Sequence, residues 1–241
     1  MRKIVMLVMV TLLAAVLINS GRAMVYAEEG ESSTASKVQI QTITGPTVAT
    51  KLAERVGKSW SWYLTRASGL VAALSLILLM ISGIGQVTGF MFRILDPITS
   101  WASHRALGLT FAISVIIHIV SILLDKFVHF SIANVLIPFS SSYRPVKLFG
   151  INFGSLYVAL GISSFYMAMM ITLTSLLWID KKPKLWKLVH WLSYVVMFEV
   201  FLHALNLGTD LAAGFLRWAW IALAVAIIAS IIHRLIRART T

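Results

Sequence analysis

The 241-residue chain has no cysteine, only nine acidic residues, and 12% charged residues in all. Without cysteine there are no disulfides, no thiolate zinc sites, no iron–sulfur clusters and no C-x-x-C-H attachment for covalent haem. The shortage of charge excludes an ordinary soluble domain, in which about 25% of residues are charged and about 45–50% apolar. Here 59% are hydrophobic, and several apolar stretches approach the length that crosses a bilayer, about 20 residues. The formal charge of +12 does not point to nucleic acid, because the 21 Lys and Arg residues sit mostly at the ends of apolar segments, where they report topology.

Residues 1–27 read as a secretory signal peptide: Met1-Arg2-Lys3, an apolar run from Ile4 to Ile18, then small residues before Glu28. The alternative is an uncleaved anchor, and both place residue 28 outside. Residues 28–60 form an extracytoplasmic leader, Ser/Thr-rich at first, with Gly45-Pro46 before a short amphipathic stretch from Thr47 to Lys58. Five spanning candidates follow, about Trp62–Gln86, Trp101–Leu124, Ile151–Trp178, Leu185–Leu207 and Ala212–Leu235. A lipid-exposed backbone must satisfy its own hydrogen bonds, so all are expected to be helices. The fold class is an all-α integral membrane bundle, antiparallel, of five spans, or six if the signal persists.

With residue 28 outside, the turn at 180–187 and the C-terminus face the cytoplasm. That side collects Arg93, Arg105, Lys181, Lys182, Lys184, Lys187, Arg234, Arg237 and Arg239, against Lys126, Arg144, Lys147 and Arg217 on the outer side of the spans. Positive-inside logic therefore agrees with the signal, and the expected location is the cytoplasmic membrane of a bacterial-type cell.

Four of the six histidines lie on two spans: His104 and His118 on the second, His190 and His203 on the fourth. Intramembrane ionisable residues are costly and functional by default. At about 1.5 Å per residue, each pair is separated by roughly 20 Å in depth, and the two steps match. Both spans run outward, so His104 and His190 share an inner layer and His118 and His203 an outer one. A helix turns about 100° per residue, so the 14-residue step returns close to the same face, whereas the 13-residue step misses by about 140° and needs local bending or unwinding. Two imidazoles per iron leave no open coordination site, which suits electron transfer rather than oxygen binding. Zinc shared by all four histidines is excluded by their separation.

The His-x13-His and His-x12-His pattern on alternate helices resembles the ferric reductase-like transmembrane domain, found in ferric reductases, NADPH oxidases and the haem-binding membrane subunit of the bacterial methionine sulfoxide reductase system. Arg66-Ala67-Ser68-Gly69 at the opening of the first span supports the resemblance, which covers about residues 60–210 within an expected domain at 61–238. It implies two non-covalent b-type haems, His104 with His190 on the inner and His118 with His203 on the outer, and transmembrane electron transfer. The family's oxidases and eukaryotic reductases carry a flavin and nicotinamide domain after the last helix, whereas this chain stops at Thr241. The expected donor is a separate cytoplasmic flavin reductase or a membrane quinol, so flavin or quinone would come from a partner. Expected acceptors are ferric iron or a periplasmic reductase. A quinol-oxidising cytochrome b has nearly the same histidine architecture, but nothing here resembles its Pro-Glu-Trp-Tyr loop. A non-redox transporter is the alternative from another class.

Around the histidines, Arg66 is a candidate for an outer haem propionate or for snorkelling to headgroups, and Arg105 and Lys187 for the inner propionates or topology alone. Glu199, one turn before His203, is a candidate to hydrogen-bond a ligating imidazole, to carry a proton, or to sit protonated against a neighbouring helix. Tyr194 reads as bundle packing, and His129 and His233 as interface residues. Gly83-Ile84-Gly85-Gln86-Val87-Thr88-Gly89 follows a membrane helix rather than a strand and is no nucleotide fingerprint; its glycines suit close helix or haem approach. No residue is an evident general base or nucleophile, so catalysis would need partners.

Overall fold

The computed structural model describes residues 48–148 and 150–237. The expected signal peptide and the leader up to residue 47 lie outside the described residues. From Val48 the leader is helical and runs without interruption into the first span, as α1 (Val48–Thr88). Gly89, at φ +75°, and a 3-10 turn at Met91–Arg93 reverse the chain into α2 (Pro97–Leu123). Asp96 caps α2, accepting from the backbone N–H groups of Ile98 and Thr99 at 3.1 and 3.0 Å, with Pro97 in the first turn where no N–H is needed.

The connection after α2 is more structured than a plain loop. It contains α3 (Ile132–Leu136), opened by a reciprocal Ser131/Asn134 cap, and a two-residue antiparallel ladder between β1 (Lys147–Leu148) and β2 (Ile151–Asn152). The third span, expected from Ile151, therefore starts later, as α4 (Leu156–Leu177). The fourth consists of α5 (Pro183–His190) and α6 (Ser193–Leu207), and a 3-10 turn at Thr209–Leu211 leads to α7 (Gly214–Arg237). Five segments among the described residues are long and apolar enough to cross a membrane: Ser59–Thr88, Pro97–Leu123, Leu156–Leu177, Pro183–Leu207 and Gly214–Arg234. The chain is a multi-pass α-helical membrane protein.

α1 and α2 pack antiparallel: Thr65 meets Ser121, Ser82 meets His104, and Gln86 meets the Ser100 carbonyl. Their seam is lined by serines at seven-residue intervals. Ser61, Ser68, Ser75 and Ser82 are buried along α1, and Ser100, Ser114 and Ser121 along α2. Small side chains at this period let two backbones approach closely, the usual basis of helix association in lipid, where no water is expelled. Some of the hydroxyls are satisfied locally, as when Ser68 donates to the Leu64 carbonyl at 2.6 Å and Ser121 to that of His118 at 2.9 Å, whereas Ser100 Oγ is buried without a partner.

The larger apolar side chains collect where α1, α6 and α7 meet, around Leu76, Met80, Val196, Phe201, Trp220 and Ile231. Phe201 and Trp220 stack with ring centroids 5.5 Å apart and planes 3° apart. Leu74, Leu78, Ile113, Ile116 and Leu173 face outward and exposed, as lipid-facing positions require.

Candidate functional site

The two histidine helices bring their imidazoles together in two layers. His104 of α2 faces His190 at the end of α5, ring centroids 6.3 Å apart and planes at 54°. His118 faces His203 of α6 at 6.4 Å, with planes nearly perpendicular at 82°. The mismatch in the 13-residue step is resolved at a break in the fourth span. Between α5 and α6, Leu192 N–H bonds to the Val189 carbonyl and Tyr194 N–H to that of Trp191, both i to i−3. Such tighter turns advance about 120° per residue rather than 100°, closing part of the rotational deficit before His203.

Three of the four rings are held through Nδ1. His118 Nδ1 donates to the Thr65 carbonyl and His203 Nδ1 to the Tyr157 carbonyl, each at 2.9 Å. A carbonyl only accepts, so each Nδ1 carries the proton and Nε2 is left with a free lone pair. His104 Nδ1 lies 2.7 Å from Ser82 Oγ. His190 differs: its Nδ1 is buried without a hydrogen-bond partner, and its ring packs on Trp186 at 5.2 Å.

Glycines on the facing helices make room for the same three rings. A Cβ on Gly161 of α4 would lie 2.5 Å from His203 Nδ1 and 2.6 Å from its Cε1. On Gly69 it would meet the His118 ring at 3.1 Å, and on Gly83 the His104 ring at 3.3 Å. These positions require glycine for close approach, not for backbone conformation.

The donor set fits a planar tetrapyrrole. An imidazole nitrogen binds a first-row metal at about 2.0–2.1 Å and lies roughly 1.1 Å from its ring centre, so rings facing across one ion have centroids about 6.2 Å apart. Both pairs match that spacing. Among the described residues no group of three or more His, Cys, Asp or Glu side chains is placed to hold an ion. Each pair offers two imidazole donors, which would suit a metal whose remaining ligands come from a macrocycle.

The surrounding charged residues are placed differently from the simplest sequence readings. Arg66, the candidate for an outer propionate or for snorkelling, is engaged within the chain. It makes a two-point ion pair with Asp210, on the 3-10 turn after α6, with Nε 3.0 Å from Oδ2 and Nη2 on Oδ1, and stacks 4.2 Å from the Trp62 ring centroid. This pair holds the Asp210 carboxyl below the usual aspartate range, the Arg66 hydrogen bond outweighing burial. Arg105 is exposed and lies over Trp101 at 5.4 Å, and Lys187 is also exposed. Glu199 Oε1 accepts from Ser163 Oγ at 3.2 Å, so Glu199 is bonded to α4, while His203 Nδ1 uses the Tyr157 carbonyl. Tyr194 does more than pack, its hydroxyl accepting from Arg234 Nη1 at 2.5 Å. His129 and His233 are exposed, His129 beside a cavity of about 300 Å³.

Two arginines that sequence reading assigned only to topology close the C-terminal end of α6. Arg217 is buried, its Nη1 bonding the carbonyls of Leu205 and Leu211 at 3.3 and 3.0 Å, and Arg144 Nη1 bonds the Asn206 carbonyl at 3.0 Å. Cations at a helix C-terminus satisfy its orphan carbonyls and oppose its dipole. Gly161 was also missed; no spacing relative to the histidines marks it, because it lies on a different span.

Residues 68–201 match the family model described as ferric reductase like transmembrane component. The chain belongs to this family. The matched segment includes His104, His118 and His190, and His203 lies two residues beyond it. No curated protein and no solved structure matches the chain. Membership in the ferric reductase-like family points to transmembrane electron transfer, and domains of this family bind haem.

Proposed function

We propose that this chain carries electrons across the membrane through two b-type haems, an inner one held by His104 and His190 and an outer one by His118 and His203. The observation that carries this reading is the facing of two imidazole pairs at 6.3 and 6.4 Å between the same two spans. When bound, haem supplies one-electron redox chemistry. The protein's own part is positional. Donation from Nδ1 to the Thr65 and Tyr157 carbonyls fixes the tautomer and ring orientation of the outer pair and makes each ring a stronger base at Nε2. Two imidazoles per iron would leave no coordination site open to small ligands. Separate layers about 20 Å apart along the helices divide a hydrocarbon core of about 30 Å into shorter transfers.

In this reading the inner pair lies near the cytoplasmic basic turn at 180–187 and the outer pair near the loops bearing His129 and Arg144. The membrane is the cytoplasmic membrane of a bacterial-type cell. Electrons enter from a separate flavin reductase or a membrane quinol and leave to ferric iron or an extracytoplasmic reductase. The test is a dithionite-reduced-minus-oxidised spectrum of the detergent-purified chain, with haem quantified for the parent and for alanine variants of each histidine. About two b-type haems per chain, reduced by loss of one layer in each variant, is the expected result. A colourless protein, or haem content indifferent to all four substitutions, would overturn the proposal.

A further inference from the structure

Glu199 is the only acidic residue within the five spans. It lies four residues before His203, about 6 Å along the helix axis and between the two histidine layers. Its two carboxyl oxygens are unequal: Oε1 accepts from Ser163 Oγ at 3.2 Å, while Oε2 is buried without a partner. An orphaned oxygen on a carboxyl inside a membrane span calls for a functional explanation.

The cations on the neighbouring elements are engaged elsewhere or exposed. On α1, Arg66 is paired with Asp210; on α7, Arg217 bonds the carbonyls of Leu205 and Leu211, and Arg234 bonds Tyr194. On α5, Lys184 and Lys187 are exposed; on α2, Arg105 is exposed over Trp101. His233 of α7 is exposed, and His104, His118, His190 and His203 face one another in their pairs. On α4, from which Ser163 reaches Glu199, the titratable groups are Tyr157, whose carbonyl holds His203, and Tyr166, whose hydroxyl donates to the Leu136 carbonyl. With no fixed cation bonded to it among the described residues, the charge on Glu199 is balanced by a proton or by the net charge of the redox centre one turn away.

We propose that Glu199 binds the proton that accompanies one-electron reduction of the His118/His203 centre, which rests on the reading that this pair holds a haem iron. One electron from a chemical reductant such as dithionite adds a negative charge at the centre. One proton from bulk water forms an O–H bond at Glu199, and both leave on reoxidation, so the local charge is the same in the two states. Ser163, donating to Oε1, leaves Oε2 as the oxygen that takes the proton. The chain is then a proton-coupled electron carrier at its outer centre and a plain one at its inner centre.

The experiment is an anaerobic redox titration of the two-haem protein at a series of pH values, in which the outer wave is the one lost in His203→Ala. The outer potential is expected to fall with rising pH, with a slope approaching about 59 mV per pH unit, the one-electron equivalent of a tenfold change in proton activity. Glu199→Gln should keep both haems and flatten that slope while leaving the inner wave unchanged. A flat outer wave in the parent, or an undiminished slope in Glu199→Gln, overturns the proposal. If Glu199→Gln loses haem, redox-difference infrared spectroscopy of the parent decides: a protonated-carboxyl band gained on reduction must shift with isotopically labelled glutamate, and its absence overturns the assignment. A parent chain without haem overturns the electron-carrier reading instead, so the two failures are distinguishable.

Discussion

The tightest contact at the proposed outer centre is the one a single methyl group would break. Gly161 on α4 faces His203 so closely that the Cβ of Gly161→Ala would sit 2.5 Å from Nδ1, whereas ordinary contact begins at 3.4 Å. The ring or the helix must therefore give by about 0.9 Å. Moving the ring by that amount stretches the 2.9 Å bond from Nδ1 to the Tyr157 carbonyl beyond hydrogen-bonding distance. Moving the helix instead disturbs the contact of Phe201 with Trp220. Overpacking of this kind costs about 1–3 kcal/mol, and the lost bond about 1 kcal/mol more. Most of the cost falls on one imidazole, so the expected phenotype is local: Gly161→Ala loses or weakens the outer haem and retains the inner one. Haem quantification and low-temperature electron paramagnetic resonance of the oxidised protein would report this, because low-spin ferric spectra respond to the angle between axial ring planes. Gly69→Ala, with its Cβ 3.1 Å from the His118 ring, should give a smaller change, and Gly108→Ala, 3.9 Å from Leu79, none. Two unperturbed haems in Gly161→Ala would refute the argument that this glycine sets the position of His203.

Three further outcomes follow from contacts around the site. Ser82→Ala removes the 2.7 Å partner of His104 Nδ1 and is expected to weaken haem retention at the inner pair by roughly 10–100-fold, read from haem loss to a competing apoprotein. Asp210→Asn breaks the pair with Arg66 and should lower stability at neutral pH by about 1 kcal/mol in thermal melts, the partly exposed pair being screened by solvent. Because the folded Asp210 carboxyl is held below its ordinary range, the parent's advantage is complete above that range and lost as pH falls through the lowered folded value; an advantage that persists in strong acid would contradict the pairing. Arg217→Leu strips the Leu205 and Leu211 carbonyls of a donor and should cost about 2 kcal/mol or more, with loss of the outer haem preceding global unfolding on heating.

Much of this architecture was legible because the bilayer imposes a length and a hydropathy that few other environments demand. All five spans appear near their expected positions, and the largest error, at the third, arose because Ile151 belongs to a two-residue strand whose apolar side chain looks like helix to a hydropathy reading. The pairing of histidines by depth was also legible, since rise per residue is fixed in a helix. Partners of the charged residues were not. Arg66 and Asp210 are separated by 144 positions, and their meeting depends on which spans become neighbours. The serines at 61, 68, 75 and 82, and at 100, 114 and 121, gave a seven-residue signal in the sequence itself. It marks the α1/α2 seam without reference to the histidines. Serine is too common at lipid-embedded positions for composition alone to raise it, and only its period is informative.

The break at Trp191–Leu192 gives the deepest test of how the two layers are kept in register. On an uninterrupted helix, His190 and His203 would point about 140° apart, so one could face α2 only if the other turned away. The tighter turns at the break and the reach of the side chains together supply the rotation, and the segment after the break is then locked by three contacts: the Phe201 stack on Trp220, the Arg217 cap, and the Tyr157 carbonyl on His203. Insertion of one alanine after Leu192 should therefore not be absorbed silently. It would shift the following helix by about 1.5 Å and 100° relative to α5. If the lock holds α6 in place, the strain passes back to α5 and His190, whose Nδ1 has no hydrogen bond to retain it, and the inner haem is lost. If α5 is the firmer element, the outer haem is lost instead. The three anchors on α6 against the Trp186 contact on His190 favour loss of the inner haem. Spectra of the insertion variant distinguish the outcomes, and retention of both haems would show that the break is a flexible joint rather than the element that sets the register.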